Sequence, residues 1–175
     1  KEECERLKKF FIHNKKIKNI LDLGCGTCNH SIIISKWGYD ILAIDQSSQM
    51  LEIAKEKLKK NKITNIKLLN KNIEKLELKN VSYDVVLLLF NVAGYLNNFS
   101  NFLINIKRFM RKGALLIFDF WHDSAVQFKG PSNSIKSFYK DGLKFNKFSN
   151  GKVDYKNNTI KTVSYTHLTL PTNLS

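Results

Sequence analysis

The sequence predicts an α/β fold of the Rossmann-like, doubly wound type, with a mostly parallel sheet and helices on both faces. Three observations carry this prediction. Apolar, strand-like runs alternate with amphipathic, helix-like runs from residue 17 to residue 120. A glycine-rich turn directly follows the first apolar run. Nearer the carboxyl terminus, short alternating segments separated by turn dipeptides predict a small antiparallel β meander.

The predicted helices and strands follow each other regularly. Ser47 is expected to cap a helix that continues to Lys60. The other predicted helices cover residues 2–11, 29–37 and 99–110, and the predicted strands cover residues 17–23, 39–44, 66–69, 83–90 and 114–120. Crossovers between parallel strands are right-handed, so helices are expected on both faces of the sheet. Ligands of such sheets bind beyond the carboxyl ends of the strands, where the strand order reverses.

The segment after Trp121 is expected to form the meander. Its predicted strands cover residues 136–139, 143–148, 152–155 and 159–163, with hairpin turns at Asp141-Gly142, Asn150-Gly151 and Asn157-Asn158. Residues 163–175 resemble a tail produced when sequencing-adapter DNA is translated. We therefore expect an α/β core over 1–122 with an incomplete N-terminus, a meander over 123–162, and a non-native tail over 163–175. The fifth strand is then expected to expose an unpaired edge, which disfavours stability and activity of this chain.

Composition narrows the class of protein. The formal charge is +14, but only Arg6, Arg108 and Arg111 are arginines and the lysines are spread along the chain, so a nucleic-acid partner is not favoured. Three cysteines without a secretory signal indicate a cytoplasmic protein. Cys25 and Cys28 form a CxxC pair, but no second ligand pair accompanies it, so no metal site is expected. No apolar run approaches the ~20 residues that span a membrane.

The loop after the first strand is the main candidate for a ligand site. Gly24 and Gly26 allow a sharp turn and a close approach of the backbone to a ligand. The helix that follows offers N–H groups and a positive dipole end to an anion. Asp22, just before the loop, is placed to hold an ammonium group. An amino-acid ligand suits this combination of features.

A second carboxylate ends the second strand. Asp45 follows Gly26 by 19 residues, and a carboxylate at this position accepts hydrogen bonds from ribose hydroxyls. The alternative is a residue that caps the next helix. The NAD fingerprint requires a third glycine where this chain has Asn29. The acidic residue two positions before Gly24 instead matches the pattern acidic-x-Gly-x-Gly.

Five segments together resemble class I S-adenosylmethionine-dependent methyltransferases, and in particular the branch that contains small-molecule and amino-sugar N-methyltransferases. They are LDLGCGTCNH, ILAIDQSSQMLEIAK, NKNIEKL, YDVVLLLFNVAGYL and GALLIFDFWH, and the resemblance extends from Ile17 to about His122. The resemblance implies S-adenosylmethionine as the cofactor. Cys28 departs from this family's pattern, which usually has glycine at its position.

The resemblance also implies a role for each residue that matches a motif. The methionine part of the cofactor is expected beside Gly24, Cys25 and Gly26, and the ribose at Asp45. The residues expected near the adenine are Gln46, Met50, Asn72 and Ile73, with the Asn72 side-chain oxygen on the adenine amine. Phe90 and Asn91 are expected to pass under the reacting methyl group.

The resemblance predicts methyl transfer to a small-molecule nitrogen or oxygen by in-line displacement. The candidates for a general base are Tyr95, Asp119 and His122. Tyr95 has a core aromatic as its alternative role, and Asp119 a structural hydrogen bond. No Asn/Asp-Pro-Pro-Tyr motif follows the fourth strand, which favours a small-molecule acceptor. Two other functions stay open: an NAD-dependent oxidoreductase, and a non-catalytic basic RNA-binding module.

Overall fold

The computed structural model describes residues 2–12, 17–79, 81–120, 126, 134–140, 143–156 and 159–169. The chain divides into two compact units, residues 1–120 and 121–175. The first unit contains, in chain order, α1 (Glu2–Ile12), β1 (Asn19–Leu23), α2 (Asn29–Ser35), β2 (Asp40–Asp45), α3 (Ser48–Lys60), β3 (Ile66–Asn70), a 3₁₀ turn (Ile73–Lys75), β4 (Tyr83–Leu88), a second 3₁₀ turn (Val92–Tyr95), α4 (Phe99–Lys107) and β5 (Met110–Phe118).

The five strands of the first unit form a parallel sheet in the order β3-β2-β1-β4-β5. The chain leaves β1 toward β2 and β3 and returns to its other side at β4, so the strand order reverses between β1 and β4. Apolar side chains of α1, α2 and α3 pack on one face of the sheet, and those of α4 pack on the other. This arrangement confirms the predicted fold class and directs attention to the carboxyl ends of β1 and β4.

Local sequence explains why most elements begin and end where they do. The Ser47 hydroxyl accepts a hydrogen bond from the Met50 N–H over 3.3 Å, which confirms the predicted cap of α3. Strand β4 is buried along its whole length, in agreement with its apolar sequence. It ends at Leu88, two residues earlier than predicted, and Phe90 then has a left-handed φ of 67°, which is not an extended conformation.

Strand β5 begins at Met110, four residues earlier than predicted. Met110 pairs with Tyr83 and Leu115 pairs with Val85, so the ladder contains an irregularity between these two pairs. Gly113 lies inside it with a φ of 80°. A bulge of this kind lets a strand continue past a glycine that breaks the apolar pattern.

A buried polar cluster lies at the amino ends of the strands. The apolar pattern of β4 did not indicate this cluster. Asp84 is 7% exposed and accepts hydrogen bonds from the N–H groups of Lys18 and Asn19 over 2.6 and 2.8 Å. It also forms an ion pair with Arg111. Because each partner compensates the burial of this carboxylate, Asp84 ties the amino ends of β1 and β5 to β4.

The second unit contains a three-stranded antiparallel sheet of β6 (Ser134–Lys140), β7 (Leu143–Asp154) and β8 (Thr159–Thr169), in that order. The predicted turn at Asn150-Gly151 is wrong, since β7 runs through it and Gly151 pairs with Thr162. Strand β8 also crosses the expected tail boundary after Thr162 without a break. The foreign origin of the tail stays a prediction. The other two predicted turn dipeptides lie outside the described residues.

Candidate functional site

A cleft of about 300 Å³ opens at the carboxyl ends of the strands, where the order of the sheet reverses. Its volume lies at the lower end of the range for small-ligand pockets. Six of the predicted site residues line it: Gly24, Asp45, Gln46, Asn72, Ile73 and Tyr95. Glu74, Val92 and Leu96 line it as well and were missed. Each of these three directly follows a residue that the sequence analysis had assigned to the site. This adjacency was the signal in the sequence that could have identified them.

Asp45 connects the two loops that meet at the cleft. Its Oδ2 accepts a hydrogen bond from the Gly26 N–H over 2.7 Å, and its Oδ1 accepts one from the Ser47 N–H over 2.8 Å. The position of this carboxylate is thus compatible with both roles predicted from the sequence, which are ribose binding and capping of the next helix. It supports the start of α3, and its half-buried oxygens keep further lone pairs at the wall of the cleft.

The glycine loop is tied to β2 through its own backbone. The N–H groups of Gly24 and Cys25 both donate to the carbonyl of Ile44, over 2.8 and 3.0 Å. What Gly24 contributes to the cleft is therefore the absence of a side chain. A Cβ at this position would lie 2.6 Å from a Val92 methyl carbon, and φ at Gly24 is +72°. Only glycine at this position therefore allows Val92 to pack so closely against the loop.

Asp22 lies below the loop and does not line the cleft. It is 3% exposed, and its Oδ2 accepts a hydrogen bond from the Ser31 hydroxyl on α2. Burial raises the pKa of Asp22 to about 6, although the Ser31 hydrogen bond and nearby His30 oppose this shift. Burial of this carboxylate costs free energy, which the Ser31 hydrogen bond offsets only in part.

The two cysteines of the loop are free thiols in a helix entry. Cys28 is fully buried and adopts a left-handed φ of 58° as the residue that caps α2. This conformation explains why glycine suits the position. A hydrogen bond with Cys28, together with burial, raises the pKa of the Cys25 thiol. In the described part of the chain, no three His, Cys, Asp or Glu side chains are grouped as a metal site.

Lys57 fastens the outer side of the same loop to α3. Its Nζ donates to the Thr27 hydroxyl over 2.7 Å and to the Asn29 side-chain oxygen over 2.8 Å. Asn29 occupies the position at which the NAD fingerprint has glycine. The structure therefore gives this side chain a specific role in holding the loop.

The segment after β3 is joined to the opposite wall of the cleft. Glu74 accepts hydrogen bonds from the backbone N–H and the side-chain amide of Asn97, over 2.9 and 2.6 Å. The Asn72 side-chain oxygen, expected on the adenine amine, accepts the Glu74 N–H over 2.8 Å. This oxygen caps the 3₁₀ turn and has one lone pair left for a ligand. Met50 is 45% exposed on α3 and does not line the cleft.

The turn after β4 contains two adjacent non-glycine residues in the left-handed region. Phe90 has a φ of 67° and Asn91 a φ of 57°. The carboxylate of Asp119 accepts the N–H of Phe90 over 2.9 Å and also the N–H of Asn91. Both oxygens of Asp119 are thus used in structural bonds, which agrees with the structural alternative for this residue.

Aromatic side chains are exposed beside the cleft. Phe90 is 69% exposed with its ring centroid 5.1 Å from that of His30, and Tyr95 is 81% exposed. Such an exposed Tyr95 is not a core aromatic. His122, the other predicted catalytic residue, lies outside the described residues. None of the helices in the described part of the chain combines the length and apolar character that a membrane crossing requires.

Comparison with known proteins assigns a family to this arrangement. A family model described as a methyltransferase domain matches residues 14–163. A candidate methyltransferase of Geobacillus sp. (strain WCH70) is 31% identical over 105 residues, which are 58% of this chain and 42% of that relative. The chain thus spans less than half the length of this curated relative.

Two solved structures share the fold at low sequence identity. The sugar N-methyltransferase KedS8 from Streptoalloteichus sp. ATCC 53650 has a TM-score of 0.74 at 16% identity, covering 95% of this chain and 71% of its own. CalS10 from Micromonospora echinaspora, an amino pentose methyltransferase solved with S-adenosylmethionine bound, has a TM-score of 0.71 at 15% identity, covering 95% and 75%.

Proposed function

The chain belongs to the methyltransferase domain family, and we propose that it binds S-adenosylmethionine in the cleft and transfers the methyl group to a small-molecule nitrogen or oxygen. The observation that carries this proposal is Asp45, which ends β2 at the wall of the cleft with both oxygens oriented by backbone N–H groups. An oriented carboxylate at this point of a doubly wound sheet suits a ribose. Neither the oxidoreductase nor the RNA-binding alternative gains support from the family match.

The methionine end of the cofactor is proposed to lie over the glycine loop. Gly24 lets Val92 pack directly against the loop, which a Cβ at this position would prevent, and both residues line the cleft. Asp22 supplies negative charge from below, and an ammonium group nearby would offset the cost of its burial. Cys25 and Gly26 complete the loop on the side of Asp45.

The adenine is proposed to lie between Gln46 and Ile73, which line the same cleft. Ile73 offers an apolar side chain for packing. The Asn72 oxygen is engaged with Glu74, so its contribution to the adenine amine is limited to its second lone pair. Met50 is proposed to contribute little, because it is exposed on α3 and does not line the cleft.

The proposed chemistry is displacement at carbon. S-adenosylmethionine supplies a methyl group that is already activated by the sulfonium: the acceptor lone pair forms the new bond to carbon while the carbon–sulfur pair leaves to sulfur. The chain's residues mainly orient the two reactants, an effect worth roughly 7–11 kcal/mol in favourable cases. A proton released by the acceptor goes to solvent or to a base. The proposed candidates for this base are Tyr95, which is exposed, and His122, which is proposed from the sequence alone.

Two observations support a small-molecule acceptor, such as an amino sugar. KedS8 is a sugar N-methyltransferase and CalS10 is an amino pentose methyltransferase. The turn after β4 reads Asn91-Val92-Ala93-Gly94, unlike the Asn/Asp-Pro-Pro-Tyr motif that accompanies methylation of bases and amide nitrogens in this fold. A screen of pooled amino sugars with radiolabelled methyl donor tests this class; incorporation only into RNA or protein would contradict it.

The cofactor proposal is tested on the two ends of one strand. Asp45→Ala removes two oriented oxygens from the cleft, and since a hydrogen bond to a charged group contributes about 1.5–3 kcal/mol, we expect S-adenosylmethionine affinity to fall at least about 100-fold. Asp40→Ala, at the other end of β2, is the matched control and should change it less than about twofold. Calorimetric titration of both variants, with NAD in parallel, makes the measurement. Unchanged affinity of Asp45→Ala, or binding of NAD, would contradict the proposal.

A further inference from the structure

The carboxylate of Asp119 closes a link between two strand ends. Asp119 follows β5, and its backbone N–H donates to the Leu88 carbonyl over 3.3 Å, in continuation of the pairing between β4 and β5. Its side chain then reaches across to the turn after β4. There Oδ2 accepts the Phe90 N–H over 2.9 Å, and Oδ1 accepts the Asn91 N–H.

The turn that Asp119 holds is an unfavourable conformation for its residues. Phe90 and Asn91 both have positive φ, and neither is glycine. Side chains at such φ values crowd the following carbonyl. Successive N–H groups in a turn of this kind converge and form a binding site for an anion. Here the anion is a side chain of the same chain.

The same turn sets one wall of the cleft. Asn91 is the residue that begins the 3₁₀ turn Val92–Tyr95, and its side chain does not cap that turn. The methyl groups of Val92 lie directly over Gly24, and Val92, Tyr95 and Leu96 line the cleft. A change in the backbone at residues 90 and 91 therefore moves the wall that faces the glycine loop.

We propose that Asp119 is a positioning residue of the methyl-transfer site: its carboxylate holds Phe90 and Asn91 in the left-handed turn and so fixes the distance between Val92 and the glycine loop. This inference rests on the proposed cofactor site. It differs from a role as general base, because it acts on cofactor binding before any acceptor is present. Both carboxylate oxygens already accept backbone N–H groups.

The experiment measures S-adenosylmethionine affinity of the full chain without acceptor. Asp119→Asn replaces one accepting oxygen by a donor that faces an N–H group, and affinity should fall about tenfold. Hydrogen exchange at the amides of Phe90 and Asn91 should become at least about tenfold faster. The matched control Asp40→Asn, at the amino end of β2, should leave both readouts unchanged.

A glycine rescue separates positioning from a general loss of stability. Glycine adopts positive φ without a side-chain penalty. Asn91→Gly in the Asp119→Asn background should therefore recover most of the lost affinity, measured against Asn91→Gly alone. Unchanged affinity and exchange in Asp119→Asn, or the absence of rescue, would overturn the proposal. A wild-type chain that binds no S-adenosylmethionine but responds in hydrogen exchange would instead overturn the proposed function.

Discussion

The loop after β1 and the turn after β4 meet at the cleft, and both contain residues with a left-handed backbone. In the first loop, two of three such residues are glycines, Gly24 and Gly26, and the third is Cys28. In the second turn neither residue is glycine. The first loop thus avoids most of the conformational cost through composition, while the second offsets it through hydrogen bonds to a carboxylate.

The magnitudes explain why both solutions work. A non-glycine residue in the left-handed region costs about 1–2 kcal/mol. Hydrogen bonds to a charged group contribute about 1.5–3 kcal/mol each when shielded, and less at an exposed residue such as Asp119. The two bonds are therefore of the same order as the cost of the turn. The hydrogen bonds from Asp119 thus allow the turn beside the cleft to contain residues with side chains, whereas a turn made of glycines would have none.

The largest expected effect comes from adding a side chain to the first loop. Gly24→Ala combines a left-handed φ of +72° with a Cβ 2.6 Å from Val92, so the free energy of unfolding should fall by about 2–5 kcal/mol. Gly26→Ala is the matched control, because its φ is +53° but nothing lies within 4 Å of the added Cβ. Urea unfolding followed by tryptophan fluorescence compares them. Equal losses in both variants would show that the contact with Val92 does not add to the cost of a side chain at Gly24.

The carboxylates next to the two segments differ in burial, since Asp22 is buried and Asp119 is exposed. The contribution of Asp22 to stability should therefore depend on pH. Its folded-state pKa of about 6 lies above the usual value, so the folded state binds this proton more tightly than the unfolded state. Its contribution to stability is most favourable below pH 4 and is lost as the pH rises through 6. Asp22→Asn should therefore stabilise the chain by up to about 3 kcal/mol at pH 7.5, and much less at pH 4.5.

The same variant should bind S-adenosylmethionine more weakly, because the charge that favours an ammonium group is gone. Unfolding and calorimetric titrations at both pH values give the two readouts. A stability difference between wild type and Asp22→Asn that is equal at both pH values would show that Asp22 is not the group that titrates.

The smallest expected effect tests Cys28, the one non-glycine residue of the first loop that has a positive φ. At Cys28, with a φ of 58°, the glycine variant should be more stable than the alanine variant by about 1 kcal/mol. At Cys4, buried in α1, the order should reverse by a similar amount, because glycine disfavours a helix interior by about 1 kcal/mol. Thermal unfolding of the four variants makes the comparison. Alanine superior to glycine at both sites would contradict the role of backbone conformation at Cys28.

The sequence predicted those parts of the fold and site that depend on neighbouring residues. Apolar periodicity located the strands of the first unit, the Ser47 cap began α3, and the spacing of Gly26 and Asp45 identified two residues that the structure joins by a hydrogen bond. Each of these signals is local, since strand, turn and cap propensities act within a few residues.

Only the tertiary structure decided the features that join distant segments. Asp119 and Phe90 are 29 residues apart, and Glu74 and Asn97 are 23 apart, so no local pattern pairs them. The strand that runs through Asn150-Gly151 is decided by its pairing with β8. The physical reason is similar in each case. A turn dipeptide can adopt several conformations and a carboxylate can accept from several donors, and the packing of the sheet decides which of these is formed.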